Sequence, residues 1–127
     1  MEKRPKLFSL QDANSLIPHL RPLIRQVVQE SQALAQIQPD IQKARSCSKY
    51  GGGSYWGGEY LRLISQLTHL IGEVEATGVL VKDYRSGLCD FPHLKDGRVI
   101  YLCWRLDEEQ VGFWHETDNG FSGRQPI

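Results

Sequence analysis

The chain has 127 residues, enough for one domain spanning 1–127, and fifteen basic against fifteen acidic side chains leave it with no net charge. Balanced charge withholds the general attraction that draws proteins to phosphate backbones and anionic membranes, so neither nucleic acid nor membrane is expected as a partner. No segment approaches the roughly 18 apolar residues of a membrane span, and the basic start MEKRPKLFSL is not followed by a signal-peptide core, so the expected location is cytoplasmic.

From Ser9 the residues Ala13, Ile17, Leu20, Ile24, Val27, Ser31 and Leu34 recur at alternating spacings of four and three. This predicts a helix over 9–38 with a coiled-coil-like seam. Ser9 is a favourable N-cap, Asp12 stands where the free amides and the helix dipole favour an acid, and Phe8 is placed for a hydrophobic staple. Pro18 and Pro22 each remove a backbone donor, a cost of ~3 kcal/mol in a helix interior, and predict a kink there. Residues 39–58 form a glycine-rich connection around Tyr55 and Trp56 with no G-x-x-x-x-G-K-[ST] pattern, which reads as an inserted loop and not a phosphate cradle. A second helix is predicted over 59–77, with Tyr60, Leu63, Ile64, Leu67, Leu70, Ile71 and Val74 on one face and Gly78 as its stop.

After Gly78 the pattern becomes extended. The runs VLVKD, LCDFP, RVIYLCWRL and VGFWHE are separated by the turn formers YRSG, HLKDG and DEEQ, and Pro92 is expected to end the second run. The reading is α+β: two long antiparallel helices, the first kinked near Pro18 and Pro22, packed on a three- to four-stranded antiparallel meander over 79–117, with a tail over 118–127. Cys47, Cys89 and Cys103 are widely spaced, lack a C-x-x-C pair and are expected to be reduced.

The ordered motifs V-K-D, L-x-D-F-P, D-G-R, Y-L-C-W-R-L, W-H-E and G-F-x-G-R, with the opening LFSLQDANSLIPHLRPLI, resemble the family catalogued as domain of unknown function 2203. The resemblance implies a small cytoplasmic protein of this architecture and brings no activity, cofactor or catalytic residue with it. The glycine-rich loop is longer than the family pattern, so residues 39–58 draw nothing from it.

In the last hairpin, hydrophobic patterning favours a register in which Leu106 opposes Val111, Trp104 opposes Phe113 and Leu102 opposes His115 across a turn at Asp107 to Gln110. The other face then carries Tyr101, Cys103, Arg105, Trp114 and Glu116. In this register Cys103 and His115 point to opposite sides of the sheet, so no metal is expected; a Cys103/His115 site, completed from Cys89, Asp90, His93 or Glu116, is the alternative. Cys103 reads as a small hydrophobe and His115 as a core-edge histidine bonded to a carbonyl. His69 reads as a boundary residue.

Tyr101, Arg105, Trp114 and Glu116 form a candidate surface for gripping a carboxylate or phosphate, and a structural ion pair of Arg105 with Glu116 or Asp90 fits equally well. Arg124 joins that surface if the tail folds back as a clamp; a solvated tail is the other outcome. The function expected is a non-enzymatic binding or assembly module that self-associates as a homodimer through its helices. Its polar-aromatic sheet face would serve a protein partner or a small anionic ligand, and no cofactor is expected. The alternative is a small enzyme with acid/base or metal chemistry around Asp90, Cys103, Arg105, His115 and Glu116, with Asp83 as a further acid; Asp90, beside Phe91 and Pro92, is placed to acquire a raised pKa.

Overall fold

The computed structural model describes residues 5–47 and 55–127. Helix α1 runs from Leu10 to Cys47 and helix α2 from Tyr55 to Ala76; five strands follow in chain order, β1 (Leu80–Asp83), β2 (Leu88–Lys95), β3 (Arg98–Arg105), β4 (Phe113–His115) and β5 (Gln125–Pro126). The strands lie side by side in that same order, each antiparallel to its neighbours. The fold is α+β, with one strand more than the sequence suggests, because the tail itself pairs with β4.

The entry of α1 is a reciprocal capping box: the Asp12 amide donates to Ser9 Oγ at 3.0 Å and the Ser9 amide to Asp12 Oδ2 at 3.3 Å. Helix α1 runs through Pro18 and Pro22 as one continuous element, and the predicted kink is not shown. Ile17, Leu20 and Ile24 around the prolines are buried in the core. Each such side chain contributes about 1.5–3 kcal/mol on burial, enough to keep the helix continuous despite the lost bonds. The helix also continues past its expected end at 38, where Gln42, Lys43, Ala44 and Arg45 supply strong helix propensity beyond Pro39. Helix α2 begins at Tyr55 instead of 59; residues 48–54 of the predicted loop lie outside the described residues.

Helix α2 packs along α1 through Leu67, Leu70 and Val27, with Leu34 and Ile71 at the margin, while Leu61 and Ile64 stay exposed. Gly78, at φ +99°, ends α2 in the left-handed conformation that glycine adopts most readily. Below the helices one sheet face supplies Cys89, Phe91, Ile100, Leu102 and Trp104 to the main core, where they meet Ala13, Ile17, Leu20, Ile24 and Val74.

The β2–β3 hairpin turns at Asp96 (φ 51°) and Gly97 (φ 78°), the pair of positive φ angles that an Asp-Gly turn of type I′ requires. Strand β2 continues through Pro92, which the sequence reading placed at its end. The partner strand β1 reaches only as far as Asp90, so Pro92 lies where no ladder donor is needed, and its carbonyl accepts the Phe8 amide instead at 2.7 Å.

Gly87 (φ 73°) and Gly97 allow a direct comparison. A Cβ at Gly87 would lie 2.8 Å from Ile24 Cγ2 and 2.9 Å from Leu106 Cβ, whereas one at Gly97 would meet nothing within 4 Å. Gly97→Ala is expected to cost about 1 kcal/mol from backbone strain alone, and Gly87→Ala about 2–4 kcal/mol through the added clash. Urea unfolding of both variants beside the parent chain measures the difference.

Candidate functional site

The site lies on the sheet face turned away from the helices. Its geometry depends on the β3–β4 register, in which Tyr101 opposes His115, Leu102 opposes Trp114 and Cys103 opposes Phe113. This is one residue away from the register expected from hydrophobic patterning, and it reverses the orientation of every residue in β4. His115 therefore joins Tyr101 and Cys103 on the outer face, and Trp114 moves to the helix side.

The correction has a physical cause. The connection between β3 and β4, residues 106–112, is no free four-residue turn; helix α1 and the sheet hold it from below. Arg21 donates to the carbonyls of Leu106 (3.0 Å), Glu108 (3.3 Å) and Glu109 (3.0 Å), and Asn14 Oδ1 accepts the Val111 amide at 2.8 Å. The Trp104 indole donates to the Glu108 carbonyl at 2.9 Å. Val111 is buried among core residues without pairing to Leu106.

On the outer face Cys103 is the cross-strand partner of Asp90. Asp90, Cys103 and His115, from three consecutive strands, are all buried, and one ligand atom from each lies within 4.8 Å of the others. His115 Nε2 is 3.0 Å from Asp90 Oδ1, and its Nδ1 is 2.8 Å from the Glu116 carbonyl oxygen. A carbonyl only accepts, so Nδ1 carries a proton; the Nε2–Asp90 bond holds a second proton between the two groups, and Nε2 is the ring nitrogen turned toward Asp90 and Cys103. Burial, reinforced by the negative charge of Asp90, pushes the Cys103 thiol up to about 12. Burial likewise raises the thiol of Cys89, which faces the core.

The C-terminal residues cover this face as a strap. Arg124 donates to both carboxylate oxygens of Glu108, at 2.6 and 2.9 Å, and its guanidinium stacks 4.0 Å from the Phe113 ring centroid and 4.7 Å from that of Phe121. The clamp reading of the tail is therefore the one found. Between strap and sheet lies a cavity of about 330 Å³ whose walls include Asp90, His115, Tyr101, Lys82, Asn119 and Phe121.

The other residues singled out in the sequence are dispersed. Arg105 pairs with Asp107 at 2.6 Å, a contact that holds the Asp107 carboxyl below its usual range. Glu116 bonds Arg98, and Trp114 lies under Lys95 Nζ at 3.7 Å on the helix side of the sheet. Tyr101 remains beside His115, with ring centroids 5.5 Å apart. Asp83 accepts from the Arg85 amide and then from Ser86 Oγ, bonds that lower its pKa and tie it to the β1–β2 turn. His69 pairs with Glu73 on the exposed side of α2, and His93 bonds the Phe8 carbonyl. Lys82 and Glu108 received no role from the sequence. The alternation of β1, with Val81 buried, already placed Lys82 on the outer face, but Glu108 carried no local signal.

A family model described as "Uncharacterized conserved protein (DUF2203)" matches residues 6–127. The chain belongs to this family. No curated protein and no solved structure shows significant similarity to it. The family match spans both helices and the whole sheet, so the buried Asp90, Cys103 and His115 all lie within it.

The Arg124–Glu108 pair is largely buried, with side-chain exposures of 9% and 17%. Removing one partner leaves the other charge desolvated, so Arg124→Ala is expected to lose about 2–4 kcal/mol in chemical unfolding. It should also speed alkylation of Cys103 in the native protein, read by peptide mass mapping; an unchanged rate at Cys103 would show that the strap does not shield it.

Proposed function

We propose that this protein binds one divalent transition-metal ion, zinc by preference, through Asp90, Cys103 and His115. The observation that carries the reading is the buried convergence of one oxygen, one sulfur and one imidazole nitrogen from three adjacent strands. A tetrahedral ion with bonds of about 2.0–2.3 Å holds its ligand atoms about 3.3–3.8 Å apart, so these groups need only small rotamer adjustments to accept it. The mixed donor set suits borderline-soft zinc and is a poor match for magnesium or calcium, which prefer oxygen alone.

The outer shell supports the same reading. A metal-binding histidine commonly donates its second ring nitrogen to a carbonyl or carboxylate, which fixes the tautomer and aims the free nitrogen at the ion; Glu116 supplies that carbonyl. Burying three polar groups on the outer face of a sheet is costly where apolar side chains would pack without penalty, and a bound cation offsets that cost. Three protein ligands leave a fourth position for water or substrate, the arrangement of zinc sites that act on bound molecules.

Protein purified without chelator is expected to carry about one zinc per chain by elemental analysis, and Cys103→Ser and His115→Ala are expected to lose it with the far-ultraviolet spectrum intact. Zinc at a hundred times its dissociation constant should stabilise the parent by about 2.7 kcal/mol and leave both variants unmoved. Folded parent chain that takes up no zinc, cobalt or nickel would rule out this function.

The exposure of Leu61 (68%) and Ile64 (37%) on α2 favours a second property, homodimerisation through the helices. Light scattering should then show a dimer that Leu61→Glu converts to a monomer. A parent chain monomeric at every concentration would discard it.

A further inference from the structure

The geometry points to a small organic carboxylate, carrying a short apolar or aromatic tail, as the ligand of the cavity beside Asp90 and His115. This rests on the metal reading, which supplies one of the two groups that would hold the carboxylate.

Charge is the first argument. A divalent ion held by one carboxylate, one thiolate and one neutral imidazole is electrically neutral overall, so the sign of the ligand is set by what else lines the cavity. The remaining charged group in its wall is Lys82, which makes no salt bridge among the described residues. Its Nζ stands 5.3 Å from the centroid of the Tyr101 ring. Potential competitors for Lys82 are occupied elsewhere: Glu116 bonds Arg98, and Glu108 bonds Arg124. An open metal position and an ammonium without an ion-pair partner among the described residues, both bordering one half-open cavity, select an anionic oxygen ligand.

Size and lining supply the second. About 330 Å³ is at the lower end of small-molecule pockets, which run from about 300 to 1,000 Å³. A nucleotide or a polymer end would not be enclosed. The wall combines the polar groups of Lys82, Tyr101, Thr117 and Asn119 with the apolar Leu88 and Phe121, so the space offers contact to a charged head and to an apolar tail. Inorganic anions would leave the Leu88 and Phe121 surfaces facing water.

The third is position. Thr117, Asn119 and Phe121 belong to the strap that Arg124 fastens to Glu108, so the same segment that covers the metal ligands forms the outer wall of the cavity. A ligand bound there would lie between sheet and strap, with its carboxylate toward the buried Asp90 and His115 and in reach of the exposed Lys82.

Cobalt provides the test. The full chain is loaded with Co²⁺ and its visible bands are followed during titration with benzoate, acetate and inorganic phosphate. Benzoate is expected to shift the bands saturably, acetate to do so more weakly, and Lys82→Gln to weaken benzoate about tenfold or more while cobalt uptake stays at parent level. Stoichiometric cobalt whose bands ignore benzoate would overturn the carboxylate assignment and leave the metal reading standing. Phosphate binding more tightly than benzoate would overturn it in favour of an inorganic anion, and unchanged benzoate affinity in Lys82→Gln would remove Lys82 from the site. Failure of the folded chain to take up cobalt would overturn both readings together.

Discussion

Glu108 is the residue through which the sheet, the helices and the C-terminal segment are joined. Its carboxylate accepts the Arg105 amide at 2.7 Å and both bonds from Arg124, while its carbonyl accepts the Trp104 indole and a bond from Arg21. One side chain thus closes the end of β3, and its own backbone is drawn down onto α1. With the connection fixed in that way β4 enters the sheet in a single register. That register turns His115 toward Asp90 and Cys103.

The same arrangement explains how three polar side chains are held on a face that would otherwise be solvated. Placement on neighbouring strands of one sheet gives the donor atoms a rigid frame, more precise than a loop would provide. The strap then excludes water from them without filling the adjacent cavity. Desolvation and positioning come from different parts of the chain, the sheet supplying the donors and residues 117–124 their cover.

Much of the architecture was legible in the residues themselves. The capping box at Ser9 and Asp12, the seam of α1, the stop at Gly78 and the Asp96-Gly97 turn rest on interactions within a few residues, and local pattern contains them. Pro92 misled because the bond it forgoes matters only where a partner strand asks for it, and pairing with β1 stops at Asp90. Asp90, Cys103 and His115 were each recognisable as chemically interesting, yet their convergence was hidden by a one-residue displacement. That displacement is enforced by Arg21 and Asn14, more than eighty positions earlier in the chain than the segment they hold. Spacing along β3 and β4 alone cannot encode it.

The two sulfurs of β2 and β3 show what strand parity does to redox chemistry. Cys89 opposes Trp104 and Cys103 opposes Asp90, so the thiols are near neighbours in the weave but emerge on opposite surfaces of it. Bridging them would require one Cβ vector to pass through the plane of the peptide groups, which disulfide stereochemistry forbids. Oxidative stress therefore has no intramolecular cross-link available to this pair, and an oxidant arriving from the strap side would encounter a solitary thiol with a carboxylate and an imidazole for company.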